Sequence, residues 1–454
     1  MENSKIIDEL LSRGVGEFID PNGTFRKKLE TNPNEIVIKL GVDPNRPDIH
    51  IGHAVILRKL RKFQDMGCKV IFLIGDFTAQ IGDPTGKSKI RPEIDQMEVN
   101  KNMQTYLDQV GKILKTEQSV FSWIRNSDWF VSINDIIAPD NRTINIKSGD
   151  QTITTPPLPA SDILNKAEFW VETRMQKINI NNYSLINLMA ILRRITYGRI
   201  IERDMFQDRI IKGEPVFMHE MLYPIFQGID SDVLANIYGS CDLEVGGTDQ
   251  HFNMLVGREV MEMNKKVPQA VLSFKLLEGL DGKEKMSKSL DNYVGITDEP
   301  NDMYGKIMSI PDSSIVNYFE LCTYTPNESI EEIKETLKNG KENPKNIKMQ
   351  LARQIVEEYH GKEKANDAEE NFTKTFSKGE IPKDMETISV ASVKEIPEAL
   401  CSNNFVASKG EFTRLLKQNA VTNLETNKKV LSLEEFTTGA YRIGAHRFVK
   451  IDIK

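Results

Sequence analysis

The chain has 454 residues, 39% of them hydrophobic and 28% charged, with a formal net charge of −7. That length predicts about two to four domains with ample core, and no apolar run approaches the roughly 18 residues that a membrane span needs. The acidic balance excludes blanket nucleic-acid binding, so any RNA contact must use a local basic surface.

Taken in chain order, residues 1–14 carry Glu2, Asp8 and Glu9 and lack both a secretory apolar core and the Arg-rich character of a transit peptide, so a cytoplasmic protein is expected. Ile36-Val37-Ile38-Lys39-Leu40 is an apolar, β-branched run ending at Gly41 and Asp43-Pro44, which predicts a buried strand and its exit. Over residues 54–66, Ile56, Leu60 and Phe63 recur at helical spacing before Gly67. Val70-Ile71-Phe72-Leu73-Ile74 then leads into Gly75-Asp76. Strand, helix and strand make the unit of a parallel sheet, with His50-Ile51-Gly52-His53 in the turn that opens the helix. A helix N-terminus offers free N–H groups and partial positive charge to phosphate. Gly52 permits close approach of a nucleotide, and two imidazoles can donate to phosphoryl oxygens; without a ligand the same histidines would simply cap the helix.

Gly82-Asp83-Pro84-Thr85-Gly86-Lys87-Ser88 comes close to a phosphate-cradling loop. That motif needs four residues between its glycines, here there are three, and Ile81 stands where the first glycine belongs, so a kinase or GTPase is excluded. Cys68, Cys241, Cys322 and Cys401 are scattered singly, which indicates neither a disulfide framework nor a zinc cluster. Residues 142–147 and 151–155 alternate around Ser148-Gly149-Asp150 like a short hairpin. Ser161 and Asp162 could then cap a stretch in which Ile163, Ala167 and Trp170 recur.

Within residues 219–230, mostly apolar, Tyr223, Gln227 and Asp230 fall at i, i+4 and i+7, on one face of a helix. Such a stripe is either a satisfied buried network or a ligand pocket. Val245-Gly246-Gly247-Thr248-Asp249-Gln250 follows as a turn, and Lys285-Met286-Ser287-Lys288-Ser289 lies 235 residues beyond His50 on a polar, Gly-punctuated loop. Two lysines on such a loop can close over a triphosphate and neutralise charge as pyrophosphate departs. Residues 346–360 form an amphipathic helical pattern ending at Gly361, and residues 379–397 read as a linker. The last unit, 398–454, holds nine Lys and Arg against six Asp and Glu, a net of +3 that leaves −10 on the rest. A capping-box-like start puts Arg414 and Lys417 on one helix surface, suited to backbone phosphates or simply to solvent.

The two short motifs, by order, separation and context, resemble the HIGH and KMSKS elements of the class I aminoacyl-tRNA synthetases. The Tyr223, Gln227, Asp230 stripe and the Gly-Gly-x-Asp-Gln turn resemble those of the tyrosyl-tRNA synthetases, long bacterial-type branch. The resemblance implies catalytic roles for His50, His53, Lys285 and Lys288. It implies ATP binding by Gly41, Asp43, His50, Gly52, His53, Lys87, Arg91, Gly247, Asp249, Gln250, Lys285, Met286, Ser287, Lys288 and Ser289. For tyrosine it implies Lys39, Thr78, Asp83, Tyr223, Gln227, Asp230 and Gln250, with Asn126 and Trp129 behind the phenol. Arg414 with Lys409 and Lys417, then Arg447 and Lys450, resembles an S4-like RNA-binding module.

Three departures stand out: Lys39 replaces a tyrosine of one branch, Asn45 a threonine near the γ-phosphate, and Asn419-Ala420 the paired glycines of many S4 modules. Between Trp129 and Tyr183 the chain carries about forty residues beyond the family pattern, a surface elaboration or an altered interface. The expectation is therefore an α/β protein with a Rossmann-like parallel-sheet catalytic domain over 1–305 (its insertion at about 134–182), an α-helical tRNA-binding domain over 306–383 and a small α+β S4-like domain over 398–454. Expected partners are L-tyrosine, ATP with its Mg2+ and tRNA(Tyr), in a homodimer with no membrane contact and no protein metal site. Alternatives are a tryptophan–tRNA ligase, which usually lacks the doubled glycine, and a catalytically inactive RNA-binding derivative.

Overall fold

The computed structural model describes residues 2–45, 48–84, 96–130, 144–148, 151–155, 185–377, 385–403, 405–406, 408–426, 428–444 and 447–454. They fall into two compact units, Met1–Leu276 and Leu277–Lys454.

In the first unit the strands are β1 (Val15–Ile19), β2 (Val37–Val42), β3 (Lys69–Ile74), β4 (Phe121–Arg125), β5 (Ile144–Ser148), β6 (Gln151–Thr155), β7 (Leu243–Gly247) and β8 (Ala270–Phe274). Six of them form one sheet in the order β1-β8-β7-β2-β3-β4. All neighbours are parallel except β1, which runs antiparallel to β8 at the edge. The expected strand–helix–strand unit is there, with helix Ile51–Asp65 between β2 and β3. Helices cover both faces of such a sheet, so its strands are apolar almost throughout. Ile71 and Leu73 of β3 pack with Ile225 and Ile229 of helix Met218–Tyr238 and with Val256 and Val260 of helix His251–Met263. The fold is α/β and Rossmann-like.

β5 and β6 pair antiparallel, Ile144 opposite Thr155 and Ser148 opposite Gln151, so the alternation there does mark a hairpin. The remainder of the insertion, including Ser161, Asp162 and Trp170, lies outside the described residues.

The second unit contains helices Pro300–Met308, Ile315–Cys322, Asn327–Lys338, Pro344–His360 and Lys362–Ser377. In the helix Pro344–His360 the cap is Asn343, whose side chain accepts from the Lys345 N–H at 2.9 Å, and Gly361 ends it at φ +86°. Ile347, Leu351, Ala352, Ile355 and Val356 form its buried stripe, as the sequence period requires. A second sheet of this unit comprises β9 (Glu386–Val390), β10 (Val421–Asn423), β11 (Lys428–Lys429), β12 (Gly439–Ile443) and β13 (Arg447–Ile453), in the order β11-β10-β12-β13-β9. β9 and the start of helix Ile396–Ser402 correct the linker reading of 379–397. Only Ile388 and Val390 of β9 face the core, too short an alternation to stand out among polar neighbours.

Candidate active site

From β2 the chain winds outward through β3 and β4 on one side, while β7 and β8 lie on the other. The carboxyl ends of β2 and β7 thus flank a topological switch point, where open α/β sheets bind ligands. Asp43, His50 and His53 follow β2, and Asp249 and Gln250 follow β7, so the separated sequence motifs of this unit converge there.

His50 is the N-cap of helix Ile51–Asp65, and its ring stacks on that of His53 with centroids 3.7 Å apart. The His50 backbone N–H donates to His53 Nδ1 at 3.3 Å. That bond makes Nδ1 the acceptor nitrogen, so in the neutral ring the hydrogen sits on Nε2. After β7, Gly247 leads into the turn Thr248–Gln250; a Cβ on Gly247 would lie 2.8 Å from Leu276 Cδ2 and 2.5 Å from Asp249 Oδ1. Only glycine lets Asp249 fold back against the strand end.

The stripe of helix Met218–Tyr238 is a connected polar pocket. Tyr223 Oη donates to Asp43 Oδ2 at 2.7 Å, and Thr78 Oγ1 donates to Asp43 Oδ1 at 2.8 Å. Gln250 Nε2 donates to Asp83 Oδ2 at 2.6 Å. Asp230, 2% exposed, accepts from Trp129 Nε1 at 3.0 Å and from Asn126 Nδ2 at 3.4 Å. Asn126 is oriented for this by the Phe77 N–H, which donates to its Oδ1 at 3.0 Å. Burial pushes the Asp230 carboxyl up to about 7, against the opposing pull of Lys39, Trp129 and Asn126.

Lys39 is fully buried. Its ammonium meets Glu244 Oε1 at 2.9 Å and donates to the Gln227 carbonyl and Ser231 Oγ, both at 2.8 Å. Lys39 and Glu244 are register partners on adjacent strands β2 and β7. Lys39 thus acts on Asp230 through its charge, while its own polar contacts go to the Gln227 carbonyl, Ser231 and Glu244. Lys87 and Arg91 lie outside the described residues.

In the second unit, Lys285 and Lys288 are partly exposed on either side of Met286, which is 5% exposed and whose N–H donates to the Leu277 carbonyl at 2.8 Å. Asn292 Oδ1 accepts from the Ser287 N–H at 2.8 Å, and its Nδ2 reaches Asp281 Oδ2 at 3.2 Å. Ser289 belongs to the short turn Lys288–Leu290. The lysines therefore ride on a loop pinned by one buried methionine and one asparagine. Further along, Ser408 caps helix Lys409–Lys417 by accepting from the Glu411 N–H at 3.2 Å, and Lys409, Arg414, Lys417 and Lys450 are exposed. Lys409 Nζ pairs with Glu398 Oε2 at 3.1 Å, and the less exposed Arg447 has its Nη1 held by the Phe405 carbonyl at 2.7 Å and by Glu411 at 2.8 Å.

Comparison with known proteins agrees with this geometry. The family of class I tRNA synthetases (W and Y) matches residues 31–377. A tyrosine–tRNA ligase of Francisella tularensis is 35% identical over 100% of both chains, and one of Carboxydothermus hydrogenoformans is 36% identical over 98% of this chain and 97% of its own. This chain belongs to the tyrosyl-tRNA synthetase family. The fold also matches a solved mitochondrial tyrosyl-tRNA synthetase of Aspergillus nidulans, with a TM-score of 0.56 and 19% identity over 82% of this chain and 94% of that one. Family membership carries ATP-dependent activation of an amino acid for loading onto tRNA.

Three residues of this family member escape the sequence reading. Glu244 interrupts the apolar strand β7 as Lys39 interrupts β2, and two opposite charges in central strands were the available signal. Asn253, fully buried, donates to Gln227 Oε1 at 3.0 Å and Gln250 Oε1 at 2.9 Å. Arg203, 7% exposed, lies over the Phe252 ring at 5.3 Å. Burial lowers its pKa against the opposing charges of Asp83, Asp249 and Tyr223, so it sits among the ligand-facing carboxylates; nothing in its local sequence announces this.

Among the described residues, no helix is long and apolar enough to cross a membrane.

Proposed function

We propose that this chain is a tyrosine–tRNA ligase, which activates L-tyrosine with ATP and transfers it to tRNA(Tyr). The observation that carries this reading is the end-to-end match to tyrosine–tRNA ligases. The pocket supports it, because the buried Asp230, with one donor on each oxygen, keeps acceptor capacity that a phenol hydroxyl can fill.

In the first step the tyrosine carboxylate attacks the α-phosphorus of ATP in line, giving tyrosyl-adenylate and pyrophosphate. No side chain acts as a covalent nucleophile, so catalysis is positioning and charge stabilisation. His53 Nε2, the helix N-terminus behind His50, and the lysines Lys285 and Lys288 are assigned to the phosphates. Gly247, Asp249 and Gln250 are assigned to the adenosine side, Gln250 to the tyrosine as well, and Lys87 and Arg91 to the same phosphates through the resemblance. Mg2+ arrives with ATP and neutralises phosphate charge; no residue of the chain is assigned as its ligand. In the second step the terminal ribose hydroxyl of tRNA attacks the adenylate carbonyl and the acyl–phosphate bond breaks, giving tyrosyl-tRNA and AMP.

The functional division we propose is a catalytic part over 1–305, a helical tRNA-binding part over 306–383 and the S4-like part over 398–454, with β9 joining its sheet. RNA contact falls to Lys409, Arg414, Lys417 and Lys450, which are exposed, and to Arg447 through what its pairing leaves accessible. A homodimer is supported by the exposed apolar side chains Tyr197, Ile211 and Met218 that follow the insertion. Cytoplasm is the location consistent with tRNA charging. Pyrophosphate exchange with tyrosine, tryptophan and phenylalanine tests the central claim. Tyrosine alone should drive efficient exchange; a preference for tryptophan, or no exchange with any of the three, would overturn it.

A further inference from the structure

Glu244 sits in the middle of the parallel sheet, 1% exposed, with both carboxylate oxygens engaged. Oε1 meets Lys39 Nζ at 2.9 Å and accepts from Gln227 Nε2 at 3.0 Å. Oε2 accepts from Ser231 Oγ at 3.2 Å and from Gln269 Nε2. Space for this cluster depends on Gly257, where a Cβ would come within 3.1 Å of both Glu244 Oε2 and Ser231 Oγ.

An ionised carboxylate only accepts hydrogen bonds. The Gln227 amide must therefore turn its NH2 toward Glu244 and its oxygen the other way, and there Oε1 accepts from Asn253 Nδ2 at 3.0 Å. The same nitrogen serves Gln250 Oε1 at 2.9 Å, while Gln250 Nε2 is taken by Asp83 at 2.6 Å. Both glutamines thus have their polarity set at each end, by a carboxylate on the nitrogen and by Asn253 on the oxygen. Tyr223 follows the same rule, giving its hydroxyl hydrogen to Asp43. An amide oxygen accepts twice, so each glutamine keeps one acceptor position beyond the bond from Asn253. An α-ammonium has three donors and no acceptor. Gln227 turned the other way would set N–H against N–H.

We propose that Glu244 and Asn253 are positioning residues for the amino group of the substrate. They hold Gln227 and Gln250 with their carbonyl oxygens as acceptors, so the site takes an α-ammonium and discriminates against a ligand that lacks one. This rests on the tyrosine-activating reading above. Lys39 is the counter-charge that allows Glu244 to occupy the sheet, and Gln227 is the group through which Glu244 acts.

The test uses the full-length enzyme and two competitive inhibitors of tyrosine-dependent pyrophosphate exchange. Tyramine keeps the ammonium and lacks the carboxylate; 3-(4-hydroxyphenyl)propanoate keeps the carboxylate and lacks the ammonium. The double variant Lys39→Met, Glu244→Leu replaces the buried pair by apolar groups of similar volume, a change that folded proteins commonly tolerate. It should raise the inhibition constant of tyramine about tenfold or more and leave that of the propanoate within about twofold, with KM for tyrosine rising more than kcat falls. Glu244→Gln, whose amide oxygen Lys39 keeps toward Gln227, should retain most of the tyramine binding. Asn253→Leu should reproduce the tyramine effect independently and serves if the double variant does not fold. Equal rises for both inhibitors, or an unchanged tyramine constant, would overturn the positioning role. Failure of the unaltered enzyme to exchange with tyrosine would instead overturn the substrate reading.

Discussion

The amino-acid pocket of the first unit and the basic surface near the C-terminus handle charge in opposite ways. In the pocket, Lys39, Glu244 and Asp230 are at most 2% exposed, and each charged atom faces a named donor or acceptor. On helix Lys409–Lys417, Arg414 and Lys417 project from a small core built on Phe412 and Leu416 and keep their charge in water. A desolvated, fully paired site discriminates, because a wrong ligand leaves a buried group without its partner. A solvated surface attracts any polyanion and yields to salt. Under the proposed function, choice of amino acid and grip on RNA therefore belong to different physical regimes within one chain.

The sharpest way to break this contrast is Asp230→Ala. Sites that hydrogen-bond a substrate hydroxyl reject the analogue lacking it by roughly 10⁴–10⁵, a known magnitude for an enzyme of this same specificity. Asp230→Ala should lose most of the tyrosine-over-phenylalanine ratio in kcat/KM for pyrophosphate exchange. Lys39→Met is the counter-experiment. Its ammonium bonds Glu244 and the Gln227 carbonyl and favours the ionised form of Asp230 through its charge, so its loss should shrink the ratio far less than Asp230→Ala does and lower stability by about 3–5 kcal/mol, the usual result of leaving one buried charge alone. A ratio that survives Asp230→Ala and vanishes with Lys39→Met would move phenol recognition to Lys39.

Lys288→Ala probes a group between the two extremes, partly exposed on a pinned loop. The adenylate-forming rate constant should fall by about 10²–10³, with tyrosine affinity little changed, because the charge matters as pyrophosphate leaves. Rapid-kinetic measurement of an unaltered rate constant would remove Lys288 from the reaction.

What the sequence made legible follows the same division. The parallel β–α–β unit was readable because Val70 to Ile74 is apolar on both faces and Ile36 to Leu40 is so but for Lys39, and the His50–His53 turn because it stands between that strand and the helical period that ends at Gly67. The Tyr223, Gln227, Asp230 stripe was readable because helical spacing survives in one dimension. Glu244, Asn253 and Arg203 were not, since their roles arise from cross-strand register, a shared nitrogen and burial, none of which local spacing encodes. β9 was hidden for a related reason: it joins its sheet only by pairing with β13, some sixty residues later.

The pocket also makes a pH prediction. Asp230 titrates at about 7, raised from the ordinary 3.8 chiefly by burial. A carboxyl raised on folding contributes stability that is complete below its unfolded value and is lost as pH rises through the folded one. In the proposed function tyrosine binding runs in the opposite direction, with the ionised carboxylate as the acceptor for the phenol. KM for tyrosine should therefore fall about tenfold between pH 6 and 8, following the ionised fraction, and Asp230→Asn should flatten the profile. A profile that is the same in both proteins would detach it from Asp230.

The smallest effects belong to the basic surface, and they sharpen the comparison from its other side. Each phosphate neutralised by a lysine or arginine contributes about 0.7–0.9 to the slope of log affinity against log salt. Arg414 and Lys417 are exposed, so replacing both by alanine should weaken tRNA binding severalfold at low salt and flatten that slope by about 1.4–1.8, while pyrophosphate exchange stays unchanged. Arg447 lies on the same unit but gives Nη1 to the Phe405 carbonyl and Glu411. Its replacement by alanine should change the salt slope less and instead lower the thermal stability of the region by about 1 kcal/mol, the scale of a half-exposed ion pair with one added backbone bond. Filter-binding titrations of tRNA across salt, set beside thermal melts, separate the two outcomes. Equal slope changes for Arg447→Ala and for Arg414→Ala alone would mean that the internal pairing of Arg447 gives way to phosphate, and that the contrast between committed and solvated charge does not extend to this surface.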